Sequence, residues 1–200
     1  MLKSYAEAVI KMMNQEKKRK EKQKNDISRG YAEIFYDTVL FERKKLCGGA
    51  FSMMLPVSFH SMKKGMLLLK YGTKHHPDFV YTNDKGDVNM TFSFLHCEEI
   101  GKDILQAQQE MEQDIKELHG NIVLEKNVFN TKQNLSVIQF SFPLQRKKNS
   151  LLNVIFLFLI KDDWVVGTFH CPDVQKRDWI NIIMQMLLSI QLEGQEKSYE

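Results

Sequence analysis

The sequence predicts a single α+β domain in which helices pack on a twisted antiparallel sheet of six to eight strands, preceded by an N-terminal amphipathic helix. Runs with a period of two, joined by short turns, indicate antiparallel strands. Two longer stretches with a period of 3.6 indicate helices that need an apolar surface to cover. The 200 residues are 43% hydrophobic and 26% charged, which is ordinary usage for a chain with a packed core.

Residues 1–30 are predicted to form a helix followed by a linker, and residues 31–195 the α+β domain. Ser4 and Glu7 have the spacing of a capping box. An apolar stripe follows, consisting of Tyr5, Ala8, Val9, Met12 and Met13. From Glu16 to Lys24 the sequence is EKKRKEKQK and the stripe ends, so we interpret this part as a solvated helix end. The segment Asn25–Gly30 then reads as the linker.

The middle of the chain is predicted to be rich in strands. Glycines at 48 and 49 mark a turn, and Asn83–Gly86 is a strong hairpin signal. In the arm after that hairpin, apolar residues alternate with Asn89, Thr91 and Ser93, which predicts one buried and one solvated face. The run Leu151–Ile160 is apolar at nearly every position, so it should lie centrally in the sheet, covered on both faces. Strands are expected at 34–46, 51–55, 66–71, 79–82, 87–96, 122–129, 135–144, 151–160 and 164–171.

Two helices are expected in the domain, at 101–119 and 174–191. Gly120 should end the first helix, and Glu98 and Glu99 should favour its positive N-terminal end. Asp173 is the expected N-cap of the second helix. The second helix carries the clearest stripe of the chain, formed by Trp179, Ile182, Ile183, Met186, Leu187 and Ile190.

The sequence favours a cytoplasmic location. The three cysteines, Cys47, Cys97 and Cys171, are odd in number and widely spaced, so they indicate neither a disulfide framework nor a zinc ribbon. The reducing cytosol suits such thiols. No signal-peptide pattern begins the chain, and the longest apolar run has about ten residues where a membrane span needs about 20. The net charge of +3 is too small to indicate a nucleic-acid partner.

Two local segments and the order of elements carry a resemblance to a known fold. The segments are FSMMLPVSFHSM at residues 51–62 and YTNDKGDVNMTFSFL at residues 81–95. With the helix at 101–119 and the closing Trp164–Phe169 strand before the Trp179 helix, this order resembles the fold of the Ran-binding Mog, photosystem PsbP and bacterial DcrB-like proteins, closest to the DcrB-like group. The resemblance covers residues 35–191. It implies a binding protein, and no site residue is carried over from it.

Two His-Cys pairs, His96-Cys97 and His170-Cys171, are the strongest candidates for chemistry in the sequence. Each stands at the end of a predicted strand, so two histidines and two thiolates could surround zinc if the strand ends met. Neighbouring side chains on a strand point to opposite faces, however, which opposes binding by each pair as a unit. We therefore expect buried cysteines and strand-end histidines, and no metal or cofactor.

Catalysis has one local candidate, in which Cys171, His170 and Asp173 would act as nucleophile, base and orienting group. Catalytic partners usually meet from distant parts of the chain, so a strand end and a helix cap explain these residues better. His75-His76 reads as an exposed loop pair. No P-loop, dinucleotide, zinc-protease or nucleophile-elbow motif is present, and no catalytic residue is assigned.

These observations favour a non-catalytic module, chaperone-like in character, that binds a protein or peptide on an exposed sheet face or beside a helix. Two alternatives remain open. One is an enzyme that uses His170 and Cys171. The other is a peripheral membrane protein that uses residues 5–24, although Glu16 and Glu21 dilute the positive charge there. The sequence leaves the partner and the oligomeric state undecided.

Overall fold

A computed structural model describes residues 7, 12–13, 25–72, 76–97, 103–120, 122–145 and 150–192. The strands of this part of the chain lie in two antiparallel sheets, accompanied by helices α1 (Lys64–Tyr71), α2 (Ile104–His119) and α3 (Lys176–Leu188). The predicted N-terminal helix, apart from three of its residues, lies outside the described residues, as do the basic run, His75, Glu98 and Glu99. The strands are β1 (Tyr31–Ile34), β2 (Asp37–Leu46), β3 (Phe51–Pro56), β4 (His60–Ser61), β5 (Phe79–Thr82), β6 (Asn89–His96), β7 (Glu125–Asn130), β8 (Ser136–Gln145), β9 (Ser150–Ile160), β10 (Asp163–Pro172) and β11 (Gln191–Leu192).

The larger sheet has seven strands in the order β4-β5-β6-β10-β9-β8-β7. The central position predicted for Leu151–Ile160 is confirmed, because β9 lies between β10 and β8. Its alternate side chains enter different cores: Phe156 and Phe158 on one face, Leu157 on the other. The hairpin predicted at Asn83–Gly86 is also confirmed, since β5 and β6 pair in antiparallel register.

The prediction of one sheet is wrong, because β1-β2-β3-β11 form a second sheet of four strands. Strand β3 explains why these strands stack on the large sheet and do not extend its edge. The ring of Phe51 makes edge-on contacts, with centroids 5.2 Å apart, to Phe92 and to Phe158 of the large sheet. Phe51, Met53 and Leu55 are fully buried in that shared core. Stacking two sheets in this way buries more apolar surface than pairing at an edge.

The strand predicted at Met66–Tyr71 is wrong: these residues belong to helix α1. The run Met66-Leu67-Leu68-Leu69-Lys70 contains no β-branched residue, and Met, Leu and Lys all favour helix. Gly72 ends the helix with a φ of 82° and donates its N–H to the carbonyl of Leu68 at 3.0 Å.

Helices α2 and α3 lie where the sequence predicted them, on opposite faces of the large sheet. Ala107 and Ile115 of α2 pack in the core that contains Leu157, and Gly120 ends the helix as expected. All six residues of the predicted α3 stripe are buried in the other core. The predicted cap of α3 is wrong: Asp173 begins a 3-10 turn at Asp173–Gln175, and the α-helix starts at Lys176 without a side-chain cap.

The predicted solvated face of β6 is wrong at its first half, because Asn89 and Thr91 are buried. The Thr91 hydroxyl instead meets the hydroxyl of Thr168 on β10 at 2.7 Å. Strand β8 is likewise buried on both faces from Val137 to Phe142. The cause is the coverage of the large sheet by α2 on one face and by the small sheet with α3 on the other.

The segment Asn25–Gly30, predicted as a linker, packs on the domain. Ile27 is buried in a short 3-10 turn, and its N–H donates to the side-chain oxygen of Gln185 on α3 at 3.0 Å.

Within the described residues, none of the helices is long and apolar enough to cross a lipid bilayer.

Candidate protein-binding surface

The structure keeps the two His-Cys pairs apart. Strand β10 pairs with β6 so that Asp163 faces His96 at one end of the ladder and His170 faces Asn89 at the other. Seven residue steps along a strand correspond to roughly 23 Å. Cys97 lies in the core beneath α2, and Cys171 lies in the core of the opposite face. Among the described residues, no group of three metal-binding side chains converges.

The thiol of Cys171 is poorly suited to nucleophilic attack. It is fully buried, and burial raises its pKa to about 12, with the carboxylates of Asp173 and Asp87 adding to the shift. Burial raises the pKa of Cys47 to about 12 as well, with a further contribution from Asp78. Because the thiolate is the reactive form, these two side chains behave at neutral pH as small apolar groups.

Two exposed histidines, His76 and His96, make contacts at a loop and at a strand end. His96 is exposed, and its Nδ1 lies 2.5 Å from Oδ1 of Asp163 at the end of the strand ladder. His76 is exposed and contacts the carbonyl of Pro77 through Nδ1, at 3.0 Å. Neither is the histidine considered for catalysis. In the arrangement of His170, Cys171 and Asp173, the nucleophile would be the buried thiol of Cys171, whose pKa burial raises to about 12.

The turn between β1 and β2 displays two aromatic side chains to solvent. Phe35 and Tyr36 form this two-residue turn, and both have positive φ values, 48° and 70°. Tyr36 is 97% exposed, Phe35 is 45% exposed, and the ring centroids lie 5.6 Å apart. Turns of this geometry normally contain Asn or Gly, because other side chains clash with the left-handed backbone. Two aromatic residues here therefore need an explanation beyond turn formation.

The backbone of this turn is fixed by neighbouring residues. The N–H of Phe35 donates to Oδ2 of Asp178 on α3 at 2.9 Å. Next to the turn, the hydroxyl of Thr38 donates to the carboxylate of Glu33 at 3.0 Å. Each left-handed non-glycine residue costs on the order of 1–2 kcal/mol, and such strain persists where surrounding contacts hold the backbone. The two rings are therefore presented from a defined position.

Three further apolar side chains extend the exposed area along the small sheet. Tyr31 and Leu40 are paired across β1 and β2, and both are exposed. Val57 is exposed beside them, with its N–H donating to the carbonyl of Leu40 at 2.8 Å. We call the set Tyr31, Phe35, Tyr36, Leu40 and Val57 the hairpin surface.

Acidic side chains border the hairpin surface. Glu33 lies on the same face of β1 as Tyr31, and Asp37 follows the turn directly. Glu42 stands two residues beyond Leu40 and pairs with Lys44 at 3.3 Å. The border is thus predominantly negative near the turn.

The free edge of β1 is partly blocked against strand addition. The N–H of Glu33 donates to Oδ1 of Asn25 at 3.2 Å, so the segment before β1 occupies a backbone donor of this edge. Covering an edge in this way opposes pairing with another chain. One backbone donor of this edge is thus occupied, which favours contact with the side chains of the hairpin surface over strand addition.

Sequence reasoning missed the hairpin surface because it assigned Ile34–Leu46 to one continuous β-rich stretch. The usual turn residues are absent at Phe35-Tyr36, so no local signal marked the reversal. A signal was nevertheless available. The stretch that follows Gly30 and ends at Leu46 is too long for one strand, and two adjacent aromatic residues stand within it, immediately before Asp37.

Comparisons with known proteins identify the fold. No protein-family model and no curated protein matches the chain. Among solved structures, the solution structure of the cyanobacterial PsbP protein CyanoP from Synechocystis superposes with a TM-score of 0.53 at 8% identity, covering 76% of this chain and 92% of that one. The fold is PsbP-like. A crystal structure from Bacteroides thetaiotaomicron superposes with a TM-score of 0.50 at 11% identity, covering 79% of this chain and 50% of that one.

The PsbP-like likeness confirms the fold suggested by the order of elements in the sequence. At such low identity it shows the fold alone, because one fold supports many unrelated functions. The function must therefore be inferred from the surface residues of this chain.

Proposed function

We propose that this protein is a non-catalytic protein-binding module, chaperone-like in character, whose partner contacts the hairpin surface. The observation that carries the proposal is the display of Phe35 and Tyr36 on a left-handed turn fixed to α3. The left-handed turn costs free energy, and the exposed rings of Phe35 and Tyr36 do not return it by packing in the protein's own core. A partner that covers these rings gives the arrangement a use.

Tyrosine suits this role for physical reasons. Aromatic side chains supply large contact areas with few rotatable bonds, so little conformational entropy is lost on binding. Tyrosine is also enriched among the residues that dominate binding energy at interfaces. Because the turn already fixes the backbone of Tyr36, binding requires only the ordering of its ring and hydroxyl.

The acidic border defines the chemistry of the proposed partner. Glu33 and Asp37 flank the aromatic pair, so a matching surface has an apolar pocket for Tyr36 with lysine or arginine at its rim. Such charge complementarity mainly accelerates association and excludes wrong partners. A cytosolic setting belongs to this proposal, because Cys47, Cys97 and Cys171 are free thiols and reducing conditions preserve thiols.

Site-specific photo-crosslinking tests the proposal in the organism's own lysate. A photoreactive residue in place of Tyr36 should crosslink one specific protein, and the same residue in place of Leu118 should not. Leu118 is a matched position because it is 78% exposed on α2. With purified partner, Tyr36→Ser should weaken binding by more than tenfold, since hot-spot truncations cost about 2 kcal/mol or more, whereas Leu118→Ser should leave it unchanged.

Two results would contradict the proposal. One is equal crosslinking from positions 36 and 118, which would indicate random encounter. The other is a partner that binds the wild-type chain and Tyr36→Ser with equal affinity, which would move the binding site away from the hairpin surface. Unchanged thermal unfolding of Tyr36→Ser is the control for folding.

A further inference from the structure

Helix α1 differs from the other two helices in burying none of its residues. Helices α2 and α3 each insert apolar side chains into a core. In α1, by contrast, the most exposed large apolar side chains are Leu69, at 81%, and Met66, at 52%. Leu68 is also exposed. A surface helix normally turns charged residues outward and apolar residues inward, and α1 departs from that arrangement.

Met66 and Leu69 form a single apolar spot on the outer side of α1. Residues three apart in a helix are neighbours on its surface, so these two exposed side chains lie side by side. The helix is only eight residues long. The spot is therefore small and convex. Such a shape is better suited to insertion into a deformable surface than to forming a pocket for a side chain of another protein.

Lysines stand at both ends of the helix that carries this spot. Lys63 precedes the helix, Lys64 is its first residue and Lys70 lies in its last turn. Nζ of Lys70 donates to the carbonyl of Gly86 at 2.9 Å, which places the end of α1 beside the hairpin that contains Lys85. The same hairpin also carries two carboxylates: Asp84, 3.7 Å from Nδ1 of His60, and Asp87, which accepts from the side chain of Asn83 at 2.7 Å. Between residues 61 and 77 the sequence has no acidic residue.

The lysines at the start of α1 do not serve helix stability. The first turn contains no acidic residue, and Lys63 makes no side-chain cap. Positive charge at the N-terminal end of a helix opposes the helix dipole. Lys63 and Lys64 therefore add their charge to an end that is already positive, which makes this side of the molecule attractive to anions.

We propose that helix α1 docks on an anionic lipid surface, with Met66 and Leu69 entering the boundary between headgroups and acyl chains and with Lys63 and Lys64 contacting lipid phosphates and carboxylates. An apolar face bordered by lysine is the composition of helices that bind in the interface plane. Lysine stems accompany the apolar side chains while their ammonium groups stay in the headgroup layer. This contact is distinct from the one considered for residues 5–24, whose glutamates dilute its charge.

Vesicle flotation with the full chain tests the proposal. Vesicles containing phosphatidylserine should carry the protein at low salt and release it at high salt, and pure phosphatidylcholine vesicles should carry little of it. The double variant Met66→Ser/Leu69→Ser should lose more than tenfold in partitioning, because two apolar side chains no longer leave water. Lys63→Gln/Lys64→Gln should lose about fivefold per lysine.

Matched variants distinguish docking by α1 from nonspecific binding to vesicles. Leu105→Ser/Leu118→Ser removes two exposed leucines from α2, and Lys132→Gln/Lys176→Gln removes two exposed lysines elsewhere; both should bind vesicles as the wild type does. A tryptophan introduced by Leu69→Trp should be quenched by brominated acyl chains, whereas one introduced by Leu118→Trp should not. Unchanged thermal unfolding confirms that each variant is folded.

Three results would overturn the proposal: no flotation with anionic vesicles, flotation that is unaffected in Met66→Ser/Leu69→Ser, or flotation lost only when Lys17–Lys24 are neutralised. The last would assign the lipid contact to the N-terminal basic run. The variant Tyr36→Ser should float with vesicles as the wild type does. The flotation result therefore tests the lipid contact of α1 independently of protein binding at the hairpin surface.

Discussion

Replacement of Gly167 by alanine should destabilise the fold by about 2–4 kcal/mol. Gly167 lies in β10, between Phe92 of β6 and Phe156 of β9. A Cβ atom at this position would lie 2.1 Å from Cζ and 2.2 Å from Cε2 of the Phe156 ring. These distances are far below any van der Waals contact, so the ring must move for the methyl group to fit.

The ring of Phe156 has little room to move. Its centroid lies 5.9 Å from that of Phe92, and it stacks nearly parallel on Phe158 at 6.4 Å. Overpacking of a dense core costs about 1–3 kcal/mol, and displacement of a buried phenylalanine approaches the 3–5 kcal/mol of its removal. Alanine also stabilises the protein by about 0.4–1 kcal/mol, because it reduces the conformational entropy of the unfolded chain. The net destabilisation is therefore about 2–4 kcal/mol.

Urea unfolding of the wild type, Gly167→Ala and Gly65→Ala measures the effect. Gly65 is the matched control, because it lies in α1 and a methyl group added there would have no atom within 4 Å, and its change to alanine should stabilise by up to about 1 kcal/mol. Gly167→Ala combined with Phe156→Leu should be less destabilised than the two single changes added together, since the smaller side chain frees space. A Gly167→Ala protein within about 0.5 kcal/mol of the wild type would refute the packing argument.

Three further predictions concern the turn, the thiols and a helix cap. Asp178→Ala should accelerate amide exchange at Phe35, measured by NMR, because it removes the acceptor of that N–H, and should cost about 1 kcal/mol. For Cys47 and Cys171 the raised pKa means that only the unfolded state ionises between pH 9 and 12. The contribution of the two thiols to the free energy of unfolding, measured in urea, should therefore be fully present below pH 9. Between pH 9 and 12 it should fall by about 1.4 kcal/mol per pH unit for each thiol. Replacement of both cysteines by alanine should remove this part of the pH dependence. Asp103→Ala should cost about 1 kcal/mol in thermal unfolding, because its carboxylate accepts from two N–H groups at the start of α2.

Elements specified by local periodicity could be predicted from the sequence. The stripe of α3, the apolar run of β9 and the hairpin at Asn83–Gly86 each determine their own conformation within a few residues. The division into two sheets could not be predicted, because it depends on Phe51 meeting Phe92 and Phe158 from distant parts of the chain. Alternation predicts which residues share a face of a strand. It does not predict whether another layer will cover the polar face, as happens at Asn89 and Thr91.

Helix α1 escaped prediction for a different reason. An amphipathic helix is recognised by apolar residues that recur on one face, and Met66 to Leu69 are apolar at four consecutive positions. The periodicity of such a run does not distinguish a strand, a buried helix and an exposed helix, although its composition favours a helix. Its exposure is settled by tertiary structure alone, so the feature that makes α1 a candidate for lipid contact has no periodic signal in the sequence.

The two exposed apolar surfaces differ in a way that argues against a single partner for both. Single exposed apolar residues are common on proteins and need no explanation, but each surface here combines apolar exposure with a local cost: left-handed backbone at Phe35 and Tyr36, and lysines at the positive end of α1. Near its turn the hairpin surface is bordered by the carboxylates of Glu33 and Asp37, whereas the α1 spot is bordered by lysines. A surface complementary to one would repel the other, so raised salt should release α1 from lipid without preventing apolar contact at Tyr36.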